Sequence, residues 1–231
     1  MTFLRLPALL LTGALALAGC AGHAPVALYQ LDSGNPGQPR ASSGMSVLLG
    51  PVAIADYLQH DTLLQRQPDG SLRAASDGRW AGSLSADIDQ LLLRQLAWRL
   101  DSSRVSLAPT PSASTPDVQV QLSITRLDSG DNLPAVLDAQ WRVLDRRGQV
   151  RDNRIVHLEQ KHLGGTAAQV KAQGLLLQRL AEQLSVALKP LANQPALADE
   201  KKAPKVPKEA MERPKMPIAA PVRTEMEIFR F

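Results

Sequence analysis

Between residues 118 and 125 the chain alternates without a break. Val118, Val120, Leu122 and Ile124 fall on one parity, and Gln119, Gln121, Ser123 and Thr125 on the other. A two-residue period sets one parity against a core and the other toward water, the pattern of a strand in a sheet covered on one face. The pattern therefore demands a sheet and a second layer to cover it. Residues 137–143 repeat the pattern, with Leu137, Ala139, Trp141 and Val143 alternating with Asp138, Gln140 and Arg142. A turn at Arg146-Arg147-Gly148-Gln149 leads into a third extended run at 150–161. Region 118–161 thus predicts an antiparallel meander.

Two helices supply the covering layer. In 83–101, Leu84, Ile88, Leu91, Leu92, Leu96 and Leu100 recur on one helical face. Ser83 or Ser85 can cap its start, Asp87 and Asp89 favour the dipole there, and Arg94 and Arg99 lie toward the end. A second helix begins after Gly164-Gly165. Thr166 with Gln169 predicts a capping box, Val170, Leu177, Leu180, Leu184 and Leu188 supply the buried face, and Pro190 is expected to end it. Extended runs are expected at 27–31, at 45–55 with Pro51 near a bend or edge, and at 104–107. Residues 62–66 and 71–75 flank Gln67-Pro68-Asp69-Gly70, a hairpin signal: Pro presets one turn angle and Gly permits a positive φ. Segments 32–44 and 108–116 read as loops. Strands, helix, strands, helix predicts an α+β fold, a mostly antiparallel sheet with two helices packed on one face.

The amino end fixes the compartment. Residues 1–7 carry Arg5 and no acid, and residues 8–17 form an apolar run too short to span a bilayer. Leu17-Ala18-Gly19-Cys20 then has the form of a bacterial lipoprotein signal, with 1–19 as the leader. Cys20 is the one cysteine in the chain. Lipidation converts its thiol to a thioether, and the acyl chains anchor the protein to a membrane. Ala21, where enterobacterial sorting would read Asp as an inner-membrane signal, favours the outer membrane. The folded domain is expected at 20–192. Residues 193–231 form a Lys/Pro-rich tail expected to be disordered, 195–231 holding 6 of the 17 prolines.

Charge and composition argue against nucleic acid. The net charge of +4 is spread along the chain. Arg5 leaves with the leader, 199–231 holds 8 basic and 6 acidic residues, and 20–198 keeps 17 basic and 16 acidic, so the folded part is nearly neutral. Aromatic residues are only 3% of the chain, too few for base-stacking platforms.

No catalytic constellation stands out. His23 lies in the tether, His60 sits beside Asp61, and His157 and His162 read as strand and loop surface. One histidine beside carboxylates is a weak metal signal, so no metal or other cofactor is expected. G-x-S-x-G, P-loop and H-E-x-x-H patterns are missing, and the chain is not expected to be an enzyme. Asp56, Tyr57, Leu58 and Trp80 are the residues singled out for function. Either Tyr57 and Trp80 anchor a partner-docking surface or they cover the sheet edge. Trp141 alternates with inward-facing residues and reads as core.

Several segments, in order, resemble one family. They are Leu28-Tyr29-Gln30-Leu31; Val52-Ala53-Ile54-Ala55-Asp56-Tyr57-Leu58; Arg79-Trp80-Ala81 with the helix after it; Pro116-Asp117-Val118; Ala139-Gln140-Trp141; and the closing helix. Together they resemble the auxiliary lipoproteins of ABC-type intermembrane transport systems, the PqiC (YmbA) type, over about 20–192. The family usually has Pro where this chain has Ala55, and the Lys/Pro tail is outside its pattern. The resemblance implies a non-catalytic accessory subunit on the outer membrane. It would dock the MCE-domain periplasmic protein of an ABC transporter that carries lipid between membranes, and so support membrane integrity. Assembly as a homo-oligomeric ring would match the symmetry of such a partner. Two other readings stay open: a lipoprotein that itself carries lipid between sheet and helices, and a periplasmic hydrolase using His60 or Asp61.

Overall fold

The computed structural model describes residues 26–40, 44–109 and 115–192. The expected lipidation at Cys20 and the expected tail at 193–231 lie outside these residues. Among the described residues, eight strands form one mixed sheet. They are β1 (Ala27–Tyr29), β2 (Val47–Ile54), β3 (Thr62–Arg66), β4 (Leu72–Trp80), β5 (Val105–Leu107), β6 (Val118–Gly130), β7 (Leu133–Asp145) and β8 (Val150–Gln160). Two helices, α1 (Leu84–Arg99) and α2 (Thr166–Ala192), cover one face, and a single 3₁₀ turn, Asp56–Leu58, joins β2 to β3.

The sheet is organised around β6. One edge of β6 carries β7 antiparallel along its length, and β7 carries β8 in the same sense. This is the meander that the alternation predicts. The other edge of β6 is shared. Its first half pairs in parallel with β2, up to Ile54 beside Ile124, and its end meets β3 at Gln65 beside Ser129. β5 lies parallel on β2, β4 antiparallel on β3, and β1 parallel on β4. The parallel pairings join segments distant in sequence, which alternation alone does not announce. The long ladders are antiparallel, and the α+β architecture with both helices on one face is the expected one.

Burial follows the two periods. Val118, Val120, Leu122 and Ile124 of β6 are buried, and so are Leu137, Ala139, Trp141 and Val143 of β7. Leu84, Ile88, Leu91, Leu92 and Leu96 of α1 join Val170, Leu177, Leu180, Leu184 and Leu188 of α2 in the same core. Each fully buried leucine contributes on the order of 1.5–3 kcal/mol. Trp141 sits at the centre, fully excluded from solvent. Its indole N–H donates to Asp152 Oδ2 at 2.5 Å, and the Arg154 guanidinium lies 5.5 Å from the ring centroid.

The β3–β4 hairpin turns as its sequence predicts. Gly70 has φ of +87°, its N–H donates to the Gln67 carbonyl at 2.9 Å, and Asp69 Oδ1 accepts from the Ser71 N–H. Ser83 caps α1 by accepting from the Ala86 N–H. Other local expectations give way to tertiary demands. β4 runs on to Trp80, well past the expected end at 75. The capping box of the second helix does not form. Thr166 Oγ1 donates to Asp77 Oδ1 at 2.6 Å, and Gln169 Nε2 donates to Asp131 Oδ1 at 3.0 Å, so both side chains serve the sheet instead. Pro190 does not end α2, which runs on to Ala192. A proline so close to a helix end disturbs only the last turn.

Segment 31–40 crosses the helices. Gln95 Nε2 donates to the Ser33 carbonyl, Gln178 Nε2 donates to the Asp32 carbonyl, and the Arg40 N–H donates to Asp101 Oδ1. Truncating the central indole by Trp141→Ala should cost about 3–5 kcal/mol of stability. Urea unfolding followed by circular dichroism would measure it, and a loss under 1 kcal/mol would refute a close-packed centre.

Candidate functional site

Of the four residues expected to dock a partner, two reach the surface. Asp56 is exposed and Tyr57 is half-buried, whereas Leu58 and Trp80 are each 6% exposed and belong to the core. The 3₁₀ turn forms because β2 parts from β6 after the Ala55 N–H donates to the Ile124 carbonyl. The turn swings the Tyr57 hydroxyl back onto β6, where it accepts from the Leu127 N–H at 3.1 Å and donates to Asp128 Oδ2 at 3.0 Å.

Asp128 is the centre of this region. Its side chain is 1% exposed, and it accepts from Arg66 Nε at 2.8 Å, Arg66 Nη2 at 2.6 Å and Arg126 Nε at 3.0 Å besides Tyr57. Burial alone would push its pKa up. The Arg66 hydrogen bonds and the nearby Arg126 charge outweigh burial and hold the carboxyl below its usual range. Burial pushes the Tyr57 phenol up to about 12, with the Asp128 charge adding to it against the Leu127 amide. Sequence reading missed Arg66, Arg126 and Asp128. A register shift between Ile124 and Arg126 breaks the alternation just before them.

A second polar chain adjoins the first. Gln65 Nε2 donates to Gln169 Oε1 at 3.3 Å, and Gln169 in turn reaches Asp131 beyond the end of β6. At the other end of β6, Asp117 accepts from the Ser46 N–H, Arg104 and Arg146. These charges are used in tying strands together.

The helix-free face of the sheet is open, its polar side chains interspersed with Pro51, Ala53 and the exposed Ile155. A depression of about 300 Å³ there is lined by Pro51, Ala53, Gln121, Ser123, Gln140 and Arg142 among others. On β8, the exposed His157 lies between Asp138 at 2.5 Å and Glu159 at 3.2 Å, and these hydrogen bonds raise its pKa. His60 and Asp61 are both exposed. Among the described residues, no group of three or more His, Cys, Asp or Glu is placed to hold a metal ion.

Removing the hub should be severe. Asp128→Ala leaves two guanidinium groups facing each other and should cost about 3–5 kcal/mol, read from urea unfolding. Because the folded carboxyl has the lower pKa, its ionisation stabilises the protein fully above the unfolded value near 3.9. That contribution is lost as pH falls through the folded value. Asp128→Asn should therefore flatten the stability profile below about pH 4, and an unchanged slope there would contradict a charged, paired carboxylate. The neutral Tyr57 phenol contributes below its unfolded pKa of about 10, and that contribution is lost as pH rises toward about 12. In Tyr57→Phe the phenolate absorbance titrating in that range should be missing.

Comparison with known proteins bears on the whole domain. No curated protein matches the chain. Two crystal structures share its fold. One, of an uncharacterised protein, is 20% identical with a TM-score of 0.59, covering 71% of this chain and 99% of its own. The other, a Xanthomonas campestris protein of the DUF330 family, is 15% identical with a TM-score of 0.54, covering 72% and 95%. The family model for the ABC-type transport auxiliary lipoprotein component matches residues 29–185, from β1 to the last turns of α2. That span takes in α1, most of α2, all eight strands but the first residues of β1, and the Asp128 cluster, and the family is a transport accessory rather than a class of enzyme. The chain belongs to the family of ABC-type transport auxiliary lipoprotein components.

Proposed function

We propose that this protein is an outer-membrane-anchored accessory subunit of an MCE-type intermembrane lipid transport system. Lipid on Cys20 holds it to the periplasmic face, and the folded domain docks the periplasmic MCE protein of the ABC transporter. The family match over residues 29–185 carries this reading. The lipoprotein signal at Leu17-Ala18-Gly19-Cys20 supports the anchor, and Ala21 supports the outer membrane as destination. Docking falls to the surface around the 3₁₀ turn, where Asp56 and the edge of Tyr57 are exposed and Leu58 and Trp80 pack behind them. A polar contact backed by buried aromatic packing suits a rigid interface. Several copies arranged as a ring would present that surface repeatedly around a symmetric partner.

The carrier reading lacks comparable support. Leu91, Leu96, Trp141, Leu176 and Leu177 occupy the space between sheet and helices where a lipid would have to sit. The depression on the other face is open to solvent rather than enclosed, so it offers no covered cavity for an acyl chain.

A cross-linked pull-down of the lipidated protein from detergent-solubilised membranes tests the docking. An MCE-domain protein should co-purify with a ring-sized oligomer. Asp56→Arg should weaken that capture several-fold without changing the unfolding midpoint. A lone monomer bringing down lipid would replace this reading with the carrier. In cells, Cys20→Ala should move the protein from the membrane to the soluble fraction, and deletion should weaken the barrier to detergents.

A further inference from the structure

Three exposed apolar residues lie at the part of the domain nearest Cys20 in sequence and in the elements beside it. Val26, where the described chain begins, is 41% exposed, and Leu28 on β1 is 68% exposed. Leu163, in the connection from β8 to α2, is fully exposed at 104%. These residues come from distant parts of the chain but share one end of the molecule. β1 runs parallel to β4 with Ala27 beside Gly78. A Cβ placed on Gly78 would lie 2.6 Å from the Tyr29 ring and 2.8 Å from Thr166 Cγ2, so the start of β1 sits at the amino end of α2. Thr166 also holds Asp77, and a Cβ on Gly164 would lie 2.9 Å from the Asp131 carbonyl oxygen. The β6–β7 turn and the Leu163 connection therefore meet the start of β1 at this end. The β3–β4 hairpin reaches beyond it, because β4 runs from Leu72 toward Gly78 in the same direction as β1.

The length of chain outside the described residues says what covers this end. Only residues 21–25 separate Cys20 from Val26. Fully extended, that stretch reaches at most about 20 Å. A domain of this size has a radius of gyration of about 15 Å, so the tether is shorter than the domain is wide. A protein anchored through Cys20 must keep Val26, and the end to which it belongs, toward the bilayer.

We infer that the end formed by the start of β1, the β8–α2 connection and the β3–β4 hairpin beyond them faces the lipid surface, which brings Leu28 and Leu163 closer to the headgroups than the far end of α2. The inference rests on the anchoring reading of Cys20 and adds an orientation to it. Exposed charges here nearly balance, with Arg73, Arg79 and Lys161 against Asp69, Asp77 and Asp131. With so little net charge at this end, the orientation is expected to be insensitive to salt.

The test uses the full lipidated chain. Cys20 is its one native cysteine, so Leu28→Cys, Leu163→Cys and Val186→Cys each introduce a single free thiol for an environment-sensitive fluorophore. Val186 is a surface control, 60% exposed and about 30 Å along α2 from its start. The proteins are reconstituted on phosphatidylethanolamine–phosphatidylglycerol vesicles that contain a headgroup spin-labelled lipid as quencher. Labels at 28 and 163 should be quenched at least threefold more than the label at 186, equally at low and high salt. Equal quenching at all three positions would overturn the orientation. So would shielding of 28 and 163 that depends on protein density rather than on lipid, since a second copy would then cover this face. Intact mass separates the two levels of failure. A chain without acyl groups on Cys20 would sink the anchoring reading and the proposal together, whereas an acylated chain with equal quenching would sink only the orientation.

Discussion

One buried carboxylate splices two sheets into one. β2 leaves β6 after Ile124, and β3 joins the same edge only at Ser129. The intervening backbone would present an unpaired amide to the interior. The Tyr57 hydroxyl takes the Leu127 N–H, and Asp128 takes Tyr57, Arg66 and Arg126. An isolated buried charge is expensive, so this arrangement persists only because every oxygen of Asp128 is matched by a donor. Through it the β1–β4–β3 segment and the β5–β2–β6–β7–β8 segment act as one surface for the helices.

Close backbone approach completes the splice. A Cβ on Gly130 would lie 2.1 Å from the Arg66 carbonyl oxygen, so any larger residue there would push β3 away from β6. The Gln65–Gln169–Asp131 chain then ties the splice to the start of α2. The helix layer, the Asp56–Leu58 turn and the start of β1 are all positioned by the same few residues around the end of β6.

Where one face is buried, the sequence shows it plainly. Val118 to Ile124 and Leu137 to Val143 announce their strands by parity, and the leucine spacing of α1 and α2 announces the helices, since each face meets the core at every period. What was hidden lies where a side chain answers to a distant partner. Asp128 follows a register shift that breaks the parity, and nothing local marks it as buried. Thr166 and Gln169 have a capping pattern, but Asp77, Asp131 and Gln65 compete for their side chains and win. Among the residues marked for docking, Trp80 and Leu58 proved to be core, because aromatic and aliphatic side chains at a sheet margin gain more from packing than from water. The parallel pairings of β2 and β3 on β6 join segments some 60 or more residues apart, a relation that no local window contains.

The shared edge of β6 also sets an order of events. A chain that emerges from its amino end presents β1 to β5 and α1 first, and they can form little more than the β3–β4 hairpin and short parallel pairs. β2 and β3 then wait with open edges for a strand that has not yet arrived. Contacts of such long sequence separation close slowly, and unpaired edges invite the wrong partner in the meantime. The strand that unites the finished sheet is thus the one whose late arrival leaves both of its neighbours' edges open longest.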